Sequence, residues 1–176
     1  MDDTSTAAAE LRDRTAIADL TLRIVNAVDF LQWSDLEECF TDEIVVDYEH
    51  VLGNGPEEVT AEEFVEQWKH ILSGFEATQH LLSNHRVDVE DDIAECTAYF
   101  QAHHYYPDAC GDSHWTLGGH YHFDCVRTDD GWRIERLVMT ALWASGNQSL
   151  LENGREDSSD NRSGLNLVET NEAADQ

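Results

Sequence analysis

Hydrophobic residues recur with a helical period in the first part of the chain. Apolar side chains three or four positions apart over residues 7–31 predict a long amphipathic helix. Residues 34–40 predict a short second helix with Ser34 as its N-cap. Residues 60–75 predict a third helix, in which Thr60 opens a capping box. The N-terminal part is therefore expected to be mainly helical.

The period changes to two after the third predicted helix, as expected for β-strands. A short strand over 43–51 and a turn-rich loop over 51–59 are expected before that helix. Four longer strands are expected after it, at 79–90, 93–106, 114–128 and 131–145. Helices segregated from an antiparallel sheet predict an α+β fold. We expect a strongly curved, mostly antiparallel sheet that wraps around the N-terminal helices and leaves a cone-shaped pocket.

The composition changes near Gly146. Beyond it the chain is polar, acidic and nearly free of aromatic residues, which is typical of a disordered segment. The sequence predicts one domain over 1–146 and an acidic, mostly disordered tail over 147–176. Leucines such as Leu150 and Leu151 are the candidates for local docking in that tail.

The charge of the chain is strongly negative. Acidic residues number 37 against 10 basic ones, which gives a formal net charge of -27. This balance argues against nucleic acid or an anionic membrane as a partner, because both require basic patches. A cationic partner stays open, but adaptation to high salt explains the scarcity of lysine better. With neither a leader pattern nor a transmembrane stretch in the sequence, a cytoplasmic location is expected.

Cysteines and histidines raise the question of a metal site. The four cysteines form no CxxC pair, so buried free thiols are the simplest interpretation. Nine histidines leave a metal site open as an alternative. His120 and His122 share one strand face, and His104 or His114 would complete a three-histidine set.

Several local motifs resemble one known family. The segments "NAVDFLQW" at 26–33, "AEEFVEQW" at 61–68, "TQHLLSN" at 78–84 and "GGHYHFDCVRTDDGWRIERL" at 118–137 are similar to the SnoaL-like branch of the nuclear transport factor two-like superfamily. The resemblance extends over about residues 10–145. The first three motifs are similar to segments of the scytalone dehydratase family, and the first of them also resembles a segment of the hexachlorocyclohexane dehydrochlorinase family.

The resemblance implies four catalytic residues. Asp29 and His80 match a catalytic pair in which the carboxylate orients the imidazole and supports it as a general base. Tyr48 and His104 match positions that stabilise developing negative charge or protonate a departing group. Because His103 and His104 are adjacent on a strand, only one of them can face inward, and the resemblance selects His104.

The resemblance also implies a wall for the pocket. Tyr121, Trp68 and Arg136 are the expected substrate-binding residues. An inward Tyr121 would leave His120 and His122 on the opposite face, so neither a metal nor another cofactor is expected.

These residues together predict a cofactor-independent lyase or isomerase that abstracts a proton from a cyclic small molecule. The scytalone dehydratase family has a tyrosine immediately before the aspartate, where this chain has Val28. That difference keeps a non-catalytic binding protein with the same pocket as the alternative. A homo-oligomer is expected by the same resemblance, either a trimer or a dimer.

Overall fold

The structure is a computed structural model that describes residues 3–53, 55–107 and 110–151. In chain order the elements are α1 (Asp3–Asp29), α2 (Trp33–Glu37), β1 (Phe40–Asp47), α3 (Glu49–Leu52), β2 (Glu57–Thr60), α4 (Ala61–Leu72), β3 (Ala77–Glu90), β4 (Ile93–Tyr105), β5 (His114–Thr128) and β6 (Gly131–Gly146).

All six strands form one sheet in the order β2-β1-β6-β5-β4-β3. Strands β3 to β6 are joined as an antiparallel meander. Strand β1 runs parallel to β6 and antiparallel to β2. Helix α1 packs on β3 and β6, and α4 packs on β1 and β2. The predicted α+β architecture, with helices against a mostly antiparallel sheet, is confirmed.

The N-terminal caps predicted for two helices can be compared with the structure. The Thr60 hydroxyl accepts a hydrogen bond from the Glu63 backbone N–H at 3.2 Å, and the Glu63 carboxylate accepts one from the Thr60 backbone N–H at 3.0 Å. The predicted capping box of α4 is therefore confirmed. Helix α2 begins one residue before Ser34, with Gln32 at the N-cap and no side-chain cap, so the predicted role of Ser34 is wrong.

The predicted strand over 43–51 ends earlier than expected. The Asp47 carboxylate accepts a hydrogen bond from the backbone N–H of Glu49 at 3.1 Å, which turns the chain out of the strand. The single helical turn α3 follows and ends at Gly53, which has a φ of 78°. The predicted loop over 51–59 contains most of the edge strand β2.

Two long strands carry an irregularity that shifts their alternation. In β3 the pairing register with β4 slips between Ser83 and Arg86, where Asn84 has a φ of 55°. In β6 the register with β5 slips opposite Asp124 and Cys125, and Ile134 and Leu137 are both buried although they are three residues apart. A bulge adds one residue to a strand, so the residues beyond it face the other way from what strict alternation predicts.

The core continues past the predicted end of the domain. Leu150 is fully buried and Leu151 is half-buried. The Asn147 side chain holds this turn by donating to the backbone carbonyls of Cys110 and Asp112. The rest of the predicted acidic tail, 152–176, lies outside the described residues.

Three of the four cysteines are buried free thiols, as predicted, and Cys110 is exposed. Burial raises the pKa of the Cys39 and Cys96 thiols to about 11 and that of Cys125 to about 12. No helix among the described residues is both long and apolar enough to cross a membrane. The predicted homo-oligomer stays a prediction.

Candidate active site

A short hydrogen-bonded pair joins the end of α1 to the start of β3. The Asp29 Oδ1 atom lies 2.7 Å from His80 Nδ1, and Asp29 Oδ2 accepts the His80 backbone N–H at 2.7 Å. The Thr78 hydroxyl also donates to Asp29 Oδ1, at 3.0 Å. The sequence predicted Asp29 as the partner of His80, and the structure brings the two side chains into contact.

The local sequence explains why these three residues meet. Asp29 is the last residue of α1, and α1 packs on β3. Thr78 and His80 are two positions apart on β3 and therefore face the same side. The side chains of Asp29 and His80 are only 14% and 6% exposed. A buried carboxylate requires several donors, and this one receives three.

The contacts fix one proton of His80. A carboxylate only accepts hydrogen bonds, so Nδ1 of His80 carries a proton, and in the neutral form of the ring Nε2 is an acceptor. Burial by itself would raise the pKa of Asp29, but the hydrogen bonds from His80 and Thr78 outweigh it and leave that pKa below its usual value. Asp29 is therefore ionised at neutral pH and can stabilise a positive charge on His80.

His80 lines a largely apolar cavity of about 100 Å³. This is about two-thirds of the roughly 150 Å³ of an engineered apolar cavity that holds benzene, so the space suits a small ligand of at most a single ring. Its apolar wall includes Val51, Phe64, Trp68, Ile71, Leu117 and Met139.

The cavity brings together most of the predicted site residues. Besides His80 and Trp68, it is lined by Tyr48, His104 and Tyr121. The imidazole rings of His80 and His104 are nearly perpendicular, with centroids 5.7 Å apart. His103 points to the other face of β4, where its ring contacts Thr116. His104 is therefore the inward residue of the two, as predicted.

His104 is neutral in this environment. Its Nδ1 lies 3.3 Å from the backbone carbonyl of Trp115, which only accepts, so the Nδ1–H donates and Nε2 is an acceptor. Burial, with a contribution from nearby His80, lowers the pKa of His104 to about 3. At neutral pH this side chain can accept a hydrogen bond from a ligand, but it holds no extra proton to give to a departing group.

Tyr48 and Tyr121 are the phenols of the cavity. Burial raises the pKa of Tyr48 well above its usual value, an effect that the nearby Trp68 indole partly offsets. Burial also raises the pKa of Tyr121. Both hydroxyls therefore stay protonated at neutral pH. Tyr48 can donate a hydrogen bond to a negative charge that develops on a ligand.

Arg136 lies outside this group. Its guanidinium pairs with the Asp124 carboxylate at 3.3 Å and lines a different, outer groove together with Glu43 and Glu58. The bulge in β6 is the physical reason, because strict alternation from buried Ile134 would have turned Arg136 inward. Arg136 therefore does not belong to the candidate site.

The β3 bulge brings inward His85, which strict alternation from His80 would place on the opposite face. His85 Nε2 lies 3.0 Å from the hydroxyl of Thr21, which is fully buried in α1. That hydroxyl donates to the backbone carbonyl of Ala18, so His85 Nε2 is the donor of this contact. Burial lowers the pKa of His85. This pair joins α1 to β3 away from the cavity.

The alternative three-histidine metal site is not assembled. His104 faces the cavity, whereas His120 and His122 lie on the outer side of β5. Both are half-buried, and Tyr121 between them is buried on the inner side. Within the described ranges, the one group with ligand atoms close enough for a metal is Glu95, His122 and Asp124. Asp124 is already paired with Arg136.

Comparison with known proteins gives a consistent result. Residues 9–138 match the family model of the SnoaL-like domain. An uncharacterised protein of Mycobacterium tuberculosis is 32% identical over 147 residues, which cover 80% of this chain and 92% of that protein.

Solved structures share the fold. A protein of Kribbella flavida is 29% identical, with 81% of this chain and 99% of that chain covered and a TM-score of 0.77. A hexachlorocyclohexane dehydrochlorinase of Novosphingobium barchaimii is 19% identical, with coverage of 77% and 90% and a TM-score of 0.63. At that identity the second likeness shows the fold alone.

Proposed function

The chain belongs to the SnoaL-like domain family, and we propose that it is a cofactor-independent lyase or isomerase acting on a cyclic small molecule. The Asp29–His80 pair is the observation that carries this proposal. A buried imidazole with a carboxylate on Nδ1 and a free acceptor at Nε2 is suited to proton abstraction. Its position in an apolar cavity of single-ring size suits a ring-shaped substrate.

The proposed reaction begins with proton transfer to His80. Nε2 takes a proton from a carbon next to a carbonyl group, and the electron pair of the C–H bond moves toward the carbonyl oxygen. Asp29 stabilises the imidazolium that results. Tyr48 donates a hydrogen bond to the oxygen on which negative charge develops.

After proton abstraction the reaction can be completed in two ways. In a lyase the electron pair forms a carbon–carbon double bond, the bond to a hydroxyl or halide breaks, and the proton on His80 accompanies the leaving group. In an isomerase the same proton returns to a different carbon. His104 takes no part as an acid in either case, because its pKa of about 3 leaves it neutral. It serves as an acceptor for a substrate hydroxyl.

A panel of cyclic β-hydroxy ketones and β-halo ketones tests the proposal. His80→Ala should reduce kcat/KM by at least about 100-fold, which is typical for the loss of a general base. His103→Ala is the matched control, since it removes a histidine that lies on the outer face of β4, next to His104 in the sequence. It should change kcat/KM by less than about twofold. Absence of turnover on the whole panel, or full activity in His80→Ala, would contradict the proposal.

Val28 favours a second candidate, a protein that binds the same ligands without chemistry. This side chain is fully buried directly before Asp29 and brings no hydroxyl to the position where the scytalone dehydratase family has a tyrosine. Calorimetry with the same panel separates the two. Micromolar binding without turnover would support the binding protein, and turnover that depends on His80 would exclude it.

A further inference from the structure

Two buried donor atoms in the wall of the cavity lack a well-aligned hydrogen-bond partner in the part of the chain that the structure describes. They are the indole Nε1–H of Trp115 and the hydroxyl of Tyr48. Trp115 is only 3% exposed. The Trp68 indole is close enough to Tyr48 to influence its pKa, so Trp115 holds the more isolated donor.

The other buried tryptophan of the described residues has a partner for its indole donor. The indole Nε1–H of Trp132 donates to the Asp13 carboxylate at 3.2 Å, far along the sheet from the cavity. A buried N–H without an acceptor destabilises a protein, so most are paired. The exception at Trp115 occurs in a residue that lines the candidate active site, so a ligand in the cavity is the candidate acceptor.

The acceptors of the cavity lie on the two histidines. His80 and His104 both have the proton on Nδ1, with Asp29 and the Trp115 carbonyl as their respective acceptors. Their Nε2 atoms are thus free to accept. The rings of His104 and Trp115 are in contact, with centroids 4.8 Å apart and planes tilted by 34°. These two donors and two acceptors lie in a mostly apolar wall, to which Gln67, Trp68 and Tyr121 add further polar atoms.

We propose that Trp115 is a specificity-determining residue whose indole N–H selects ring-shaped ligands that carry an acceptor oxygen, such as a ketone. This inference rests on the proposed function only in taking the cavity as the ligand site. A ligand with a carbonyl oxygen satisfies the buried donor, whereas an apolar ligand of equal shape leaves it unpaired. Sites that hydrogen-bond a ligand group discriminate strongly against analogues that lack it.

Two probes of nearly equal shape test this selectivity. Cyclohexanone and methylenecyclohexane differ in the replacement of an oxygen acceptor by a CH₂ group. Binding to the full chain is measured by calorimetry, and the tryptophan indole signals are followed by ¹H–¹⁵N NMR. Cyclohexanone loses more hydration than the alkene on entering the cavity, so the ratio of the two affinities in the unmodified chain is the reference for the variants. Cyclohexanone should move the Trp115 indole proton downfield, which the alkene should not do.

Trp115→Phe keeps an aromatic ring beside His104 and removes the donor. The affinity for cyclohexanone relative to the alkene should fall about tenfold in this variant, because one hydrogen bond to the ketone is lost while the one from Tyr48 remains. Trp132→Phe is the control, because it removes a buried indole N–H that already has an acceptor, and it should preserve the ratio. An unchanged ratio in Trp115→Phe overturns the proposal. If that variant does not fold, the NMR signal of the unmodified chain decides. The proposal is overturned if cyclohexanone does not shift the Trp115 indole signal.

The outcome is independent of turnover. Ketone selectivity that depends on Trp115, combined with no turnover on the substrate panel, would support this inference and contradict the proposed enzyme. Turnover that depends on His80, combined with an unchanged affinity ratio in Trp115→Phe, would support the proposed enzyme and contradict this inference. Failure of cyclohexanone to bind at all would also overturn the role of Trp115.

Discussion

Replacing Asp29 with asparagine is expected to lower the free energy of unfolding by about 3 kcal/mol at neutral pH. The Asp29 carboxylate accepts three hydrogen bonds, from the backbone and ring of His80 at 2.7 Å each and from Thr78 at 3.0 Å. A hydrogen bond to a charged group contributes about 1.5–3 kcal/mol. Asparagine keeps the shape but loses the charge, and its NH₂ group then faces a donor. The loss of one or two such bonds gives the stated value.

The difference between the two proteins should depend on pH in a defined direction. The pKa of Asp29 is lowered in the folded protein, because the bonds from His80 and Thr78 outweigh the opposing effect of burial. A carboxyl group with a lowered folded pKa contributes stability above its unfolded pKa, about 3.9, and loses it as pH falls through the folded value. The gap should narrow below pH 4, where the Asp29 carboxylate of the unmodified protein becomes protonated.

Urea unfolding in 1 M KCl between pH 7 and pH 3 measures this gap. Asp19→Asn is the matched control, since it removes the same charge from an exposed position of α1 and should change stability by less than about 0.5 kcal/mol. The reasoning is refuted if Asp29→Asn is as stable as this control. A gap as large at pH 3 as at pH 7 would show that the charge of Asp29 is not its source.

Three further predictions concern stability. With a net charge of -27, the melting temperature should rise steeply between about 0.01 M and 1 M KCl, as the Debye length falls from about 30 Å to about 3 Å; a flat salt profile in calorimetry would contradict this. Leu150→Ala should cost about 2–4 kcal/mol because Leu150 is fully buried, and a variant as stable as the parent would refute this. Truncation after Leu151 should leave the melting temperature at high salt nearly unchanged, and a large drop would refute that. Gly119→Ala should destabilise by about 2 kcal/mol or more, since its Cβ would lie 1.9 Å from the Thr140 carbonyl oxygen, and Gly53→Ala, which meets no atom within 4 Å but has a positive φ, should cost less in the same urea titration.

Periodic patterns accounted for much of the fold. The long helix α1, the capped helix α4 and the four strands of the meander follow signals that a few neighbouring residues carry. The contact between Asp29 and His80 depended instead on resemblance to a family, because nothing in the spacing of the two residues requires α1 to end beside β3. The parallel pairing of β1 with β6 is likewise not indicated by the spacing of any neighbouring residues.

The bulges show where alternation fails as a guide. Arg136 was expected in the cavity, but the extra residue in β6 turns it outward to Asp124. The spacing of three between the apolar residues Ile134 and Leu137 is the trace that this bulge leaves in the sequence. His85 was shifted in the same way, and the polar residues around Asn84 gave no apolar reference from which to notice the slip.

The parallel pairing of β1 with β6 also sets an order for biosynthesis. Phe40 is made early in translation, yet its partner Ile134 emerges from the ribosome only near the end of the domain. Until then β1 has β2 on one side and an open edge on the other, and its apolar residues Ile44 and Val46 lack their final cover. Exposed edges and apolar surface of this kind favour aggregation of a nascent chain. Slow synthesis of the meander would therefore lengthen the period in which the nascent chain is exposed to aggregation.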